Sequence, residues 1–197
     1  MSTALTQAHG VSDGGTAVRV VVRANPYRHL LDDAQFGQLL LRLGLNRATS
    51  IEVNHRSSAA TAPRGTYGRA CLGMVMMDPT VGLWVTNTEA VMAALIIGHG
   101  GEDFLTNAAA KAGGHRRIGR NYGEAALVDP QLIGEGGFRH GHSVNVRGVV
   151  VGASAQTPDQ DLYEATSLAT EFVEAIQELC RTWGAGAGPG DWYSAED

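Results

Sequence analysis

The stretch Gly113-Gly114-His115-Arg116-Arg117-Ile118-Gly119-Arg120 sets an imidazole beside several guanidinium groups. An imidazole nitrogen is a metal or cofactor donor near neutral pH, and guanidinium groups meet carboxylates in paired hydrogen bonds. The run also has a plainer reading, as a helix C-terminus where arginines meet the dipole and stay in water with His115 an ordinary surface residue. His140-Gly141-His142 offers a second constellation. Alternate residues of an extended chain share a face, so both imidazoles can turn to one site and chelate a divalent metal with a third ligand such as Glu135 or Asp78. Such pairs also arise by chance, and a loop or surface role is the alternative. Gly134, Gly136, Gly137 and Gly141 would let backbone approach a ligand closely there. His99, in Gly98-His99-Gly100-Gly101, either touches a ligand or simply sits at a helix break.

Other chemistries leave less trace. Ser154 has no GxSxG elbow, and Cys71 has no His-Asn partner signature. No GxGxxG follows a strand and no GxxxxGK[ST] occurs, which removes the usual nucleotide-binding signatures. General acid–base chemistry from Glu124, Asp129, Glu135 and the histidines stays open, because such sites assemble in space.

The 197 residues carry a net charge of −5, against the broad positive field that nonspecific nucleic-acid or anionic-membrane binding needs. Cys71 and Cys180 form no CxxC or CxxCH, so zinc-ribbon, thioredoxin-like and covalent-haem signatures are missing and reduced thiols are expected. The N-terminus lacks a basic patch with an apolar core, and no uncharged apolar run reaches about 18 residues. A cytoplasmic protein is expected.

The elements that must position these residues read as follows. Residues 1–16 and 184–197 lack periodicity and read as flexible tails around a single domain, 17–183. Ala17–Val22 is a strand. Asp32 or Asp33 caps a helix with Phe36, Leu39, Leu40 and Leu43 on one face, closed by Gly44. A weak strand, Ser50–Val53, precedes a polar loop over 54–69. Met74–Met77 and Leu83–Val85 read as a hairpin joined through 78–82, followed by an apolar helix capped by Asn87 or Thr88 and running to Ile97. A further helix spans Glu102–Ala112 and ends at Gly113-Gly114. Val144–Val146 and Val149–Val151 flank Arg147-Gly148 as a tight hairpin. Pro158 opens a long helix striped by Leu162, Ala165, Leu168, Phe172 and Ile176, ending near Arg181–Trp183. Two hairpin-then-helix units thus predict an α+β fold, an antiparallel sheet flanked by helices.

Gly136-Gly137, Val144–Val146, Arg147-Gly148, Val149–Ala153 (VVVGA) and Thr157-Pro158-Asp159-Gln160-Asp161 together make the most specific motif. With Met74–Asp78, Gly82–Val85 and Lys111-Ala112 they resemble the GlcG/HbpS-like haem-binding family, the domain also found at the C-terminus of PduO-type proteins. The chain looks like a divergent member, matched over about Leu72–Ala175. Asn87-Thr88-Glu89 and Ser154-Ala155-Gln156 depart from the family pattern. The resemblance implies a sheet flanked by helices, homo-oligomers, and haem or a related tetrapyrrole in some members. A noncovalent haem needs an axial donor and cations for its propionates. On that implication Lys111, His115, Arg116, Arg117, His99, His140 and His142 are the cofactor-binding candidates. The alternative is an enzyme without haem, acting on a small polar or anionic metabolite, and a structural or interaction subunit is a third possibility.

Overall fold

The computed structural model describes residues 5–57, 61, 64–121, 123 and 142–187. Its strands are β1 (Thr6–Val11), β2 (Ala17–Val22), β3 (Leu72–Met77), β4 (Val91–Ile97), β5 (Ser143–Val146) and β6 (Val149–Ser154). Its helices are α1 (Asp33–Arg56), α2 (Leu105–Ile118) and α3 (Pro158–Ala187), with a 3-10 turn at Gly101–Phe104 ahead of α2. All six strands form one antiparallel sheet in the order β1-β2-β4-β3-β6-β5. The α+β class and the helix-flanked antiparallel sheet are as expected from the sequence. Along the chain a strand pair precedes a helix three times, one more than the pattern suggested.

The additional strand is β1, in the segment expected to be a tail. Thr-Gln-Ala-His-Gly-Val has no strand-like apolar alternation, and it needs little, because β1 lies at the sheet edge and buries only Ala8. Its turn is anchored from a distance: the Ser12 hydroxyl and the Thr16 N–H both donate to Glu52 Oε1 on α1.

α1 begins as predicted. Asp32 accepts from the Gln35 N–H and Gln35 returns a bond to the Asp32 N–H, a capping box. It does not end at Gly44, and Ser50–Val53 lies in its last two turns rather than in a strand. A Cβ on Gly44 would sit 2.9 Å from Val18 Cγ1, so this glycine lets the helix close on β2. The polar stretch from 54 accordingly begins inside the helix.

The larger correction concerns β4, read as a helix. Val91–Ile97 is apolar on both sides because the strand is central: Ala93, Leu95 and Ile97 join the main core while Ala94 and Ile96 face the other way. A doubly buried strand and a buried helix have the same composition, and periodicity cannot separate them. The Leu83–Val85 segment is not a strand. It lies in a loop where Leu83 and Trp84 are exposed, and β3 pairs with β4 instead.

The β5–β6 hairpin is as expected, with Arg147 (φ 49°) and Gly148 (φ 91°) both left-handed, the geometry of a two-residue turn. Thr157 and Gln160 box the start of α3, which continues past Trp183 to Ala187.

The main core lies between the sheet and α1 with α3, which touch each other. On the opposite face α2 covers β3 and β6. It presses close because glycines remove side chains from its path. A Cβ on Gly152 would lie 2.2 Å from the Ala108 carbonyl oxygen, and one on Gly73 2.6 Å from that of Gly101. The β1, β2 and outer β4 portion of that face has no helix over it among the described residues.

Candidate site on the open half of the sheet

Strand alternation puts Val18, Val20 and Val22 of β2 into the core, so Arg19 and Val21 face the uncovered side. Across the β1–β2 ladder Arg19 pairs with His9, and on its other side with Ile96 of β4. At the end of β4 the glycine link changes direction sharply. Gly98 and Gly100 take φ of 69° and 83°, and a Cβ on Gly98 would meet the Ala70 carbonyl oxygen at 2.2 Å. His99 is carried out to the same side. It is exposed, and with His9, Val11, Arg19, Ile96 and Glu102 it lines a cavity of about 660 Å³. Arg19 Nη2 lies 2.9 Å from Glu102 Oε2, a partly solvent-exposed pair of the kind that contributes little to stability.

The other candidates divide between α2's interior face and its C-terminal end. Lys111 is wholly buried, and its Nζ donates to the Ala153 carbonyl and to Asp161 Oδ2, both at 2.7 Å. Burial pushes the Asp161 carboxyl up, against the opposing pull of Lys111 and of the Gln156 and Ala155 N–H groups. Arg116 is also committed. It donates to the carbonyls of Val81, Gly82 and Val85 and to Asn87 Oδ1, clamping the 81–87 loop to α2. Gly113 does not end the helix. It makes room for Asn87, whose Nδ2 would lie 2.8 Å from a Cβ there, and Gly119 (φ 72°) ends α2 instead. Arg117 is exposed in the last turn.

His115 is buried, with Nδ1 2.8 Å from the Ser143 hydroxyl. Ser143 follows His142, and Asn121 joins them: its Oδ1 accepts from the Ser143 N–H and its amide lies 3.4 Å from His142 Nδ1. His115 and His142 are therefore neighbours through Ser143, two constellations the sequence offered separately. His99 is not with them, since it precedes α2 and His115 lies in its last turn, a rise of about 15 Å or more along the helix. His140, Glu124, Asp129, Glu135 and the glycines at 134, 136, 137 and 141 lie outside the described residues. Among the described residues no group of three or more His, Cys, Asp or Glu is placed to hold a metal ion. Asp78, the other chelate partner considered, is buried and accepts from the Thr80 N–H and hydroxyl.

Two features escaped the sequence reading. His9 was hidden by the assignment of β1 to a tail. The other is a buried polar network between α1 and α3. Glu164, with no exposed surface, accepts from the Tyr67 hydroxyl and the Ser50 hydroxyl, both at 2.8 Å, and pairs with Arg47 at 3.4 Å. Burial pushes the Glu164 carboxyl up against those bonds, and burial with the Glu164 charge drives the Tyr67 phenol far above its usual value. One signal was available: Glu164 stands beside Ala165 on the inward stripe of α3, where an unpaired carboxylate is too costly to bury.

Compared with family models, curated proteins and solved structures, the chain has no significant match to any of them. The class of protein is thus defined by its architecture: an antiparallel sheet backed on one face by α1 and α3 and half-covered on the other by α2. Imidazole and guanidinium groups stand on the part that no helix covers among the described residues.

Proposed function

We propose that this chain is a small-molecule-binding protein that takes a tetrapyrrole of the haem type on the open half of its sheet. The observation that supports this most is the grouping of two imidazoles, His9 and His99, with Arg19 around one cavity of about 660 Å³. Ile96 and Val11 give that cavity apolar surface, so it holds the donor set a noncovalent haem requires: an axial nitrogen, apolar contact and a cation for a propionate. The resemblance of the 143–161 hairpin and helix start to haem-binding proteins points the same way. Lys111 and Arg116, both committed within the fold, have no ligand role in this reading. The homo-oligomer implied by the same resemblance belongs with it and is checked by sedimentation.

A haemin titration followed by visible absorption tests the proposal. A saturable Soret band is expected, shifted or abolished in His99→Ala or His9→Ala, and weakened without a change of ligation in Arg19→Gln. Purely additive spectra, or a band indifferent to both histidines, would overturn it.

A second reading has its own support. His115, Ser143, Asn121 and His142 join two imidazoles, a hydroxyl and an amide at one end of α2. That set suits general acid–base catalysis on a small polar metabolite. It predicts turnover that His115→Gln abolishes and His99→Ala leaves intact.

A further inference from the structure

A second cleft, of about 450 Å³, runs between α2 and the sheet and shares no lining residue with the cavity of His9 and His99. Its walls are chiefly apolar: Val75, Met77, Val91 and Ala94 from the sheet, and Leu105 and Ala109 from the helix. Arg23, just beyond the end of β2, is the one charged residue in the lining. Its side chain is exposed and forms no hydrogen bond, ion pair or ring contact among the described residues. The contrast with the other arginines of this face is clear. Arg19 pairs with Glu102, and Arg116 is spent on the loop carbonyls. The polar groups of the rim, Asn87, Thr88 and Thr106, are uncharged. Asn87 is held in place from two sides, by the Arg116 guanidinium and by the vacant side-chain position at Gly113.

An apolar cleft whose lining carries a single guanidinium, unpaired among the described residues, matches one chemistry, an apolar chain ending in a carboxylate. We propose that this cleft binds a small carboxylic acid with an aliphatic body, its carboxylate on Arg23 and its chain along Ala94, Val75 and Ala109. The charge argues against an apolar segment of a second copy as occupant, since burying Arg23 beneath one would leave the guanidinium without a counter-charge.

The test is calorimetric titration of the full chain with octanoate, and with octan-1-ol as the uncharged counterpart. Octanoate should bind saturably, a single molecule per chain, and Arg23→Gln should weaken it about tenfold or more, as loss of a charge-assisted pair does. Ala109→Phe, which fills the slot, should abolish binding while the circular dichroism spectrum stays unchanged. Octan-1-ol binding as tightly as octanoate, or an Arg23→Gln variant with undiminished affinity, would overturn the proposal. So would a lower oligomeric state in Arg23→Gln without octanoate binding by the parent chain, which would mark the cleft as a contact between copies. The haemin titration reads different residues, so either proposal can fail while the other stands.

Discussion

Replacing Lys111 by Met keeps most of the side chain's stem and removes its ammonium group. The Asp161 carboxylate, itself buried, would then keep only the backbone N–H groups near 155–156, and the Ala153 carbonyl would lose its donor. Leaving one member of a buried ion pair uncompensated costs about 3–5 kcal/mol. For a chain of this size each kcal/mol moves the melting temperature by about 2–4 °C, so Lys111→Met should melt some 6–20 °C lower. Differential scanning calorimetry at neutral pH measures this directly. Lys111→Met combined with Asp161→Leu removes both charges and should recover a substantial part of the loss, because the penalty lies in the stranded carboxylate. A single variant melting within about 2 °C of the parent would refute the reasoning. It would show that the Lys111–Asp161 contact carries no net stabilisation and would return Lys111 to the pool of ligand-binding residues.

Three further outcomes are expected. Gly152→Ala drives a Cβ to 2.2 Å from the Ala108 carbonyl oxygen, a clash with backbone that cannot rotate away, and should destabilise by about 1–3 kcal/mol in urea unfolding. Gly113→Ala meets the Asn87 side chain, with Nδ2 at 2.8 Å, rather than backbone and should cost less. Arg116→Ala releases the 81–87 carbonyls, so amides there should exchange markedly faster by mass spectrometry while those of β3 and β4 hold. The Glu164 carboxyl is held above its ordinary value, so between the unfolded and folded values the folded chain binds the extra proton. Stability from that group should therefore fall as pH rises through the window above the ordinary glutamate range. Glu164→Gln should flatten that fall in urea titrations run across pH. An unchanged slope would mean that Tyr67, Ser50 and Arg47 hold the carboxylate ionised without penalty.

Much of the frame was legible from local chemistry. The β-branched run Ala17–Val22, the helix cap at Asp32 or Asp33, the Arg147-Gly148 turn and the Pro158 helix start each depend on residues within a few positions of one another, and the structure has each of them, with Asp32 as the cap. These identify the class, strands paired antiparallel and backed by amphipathic helices.

Tertiary structure decided the rest, because the deciding neighbour lay far along the chain. Gly44 and Gly113 read as helix ends, yet each makes room for a side chain from elsewhere, Val18 in one case and Asn87 in the other. Val91–Ile97 is a strand because β2 and β3 satisfy its backbone from both sides, which its composition cannot announce. β1 is a strand because β2 supplies a partner and Glu52 ties down its turn. Lys111 and Arg116 look like ligand-binding cations until Asp161 and the 81–87 carbonyls are brought to them. Charge and donor type are properties of a residue and can be read in sequence. Whether that charge is already paired is a property of the fold, and it separates the committed Lys111 and Arg116 from Arg23, whose guanidinium has no partner among the described residues.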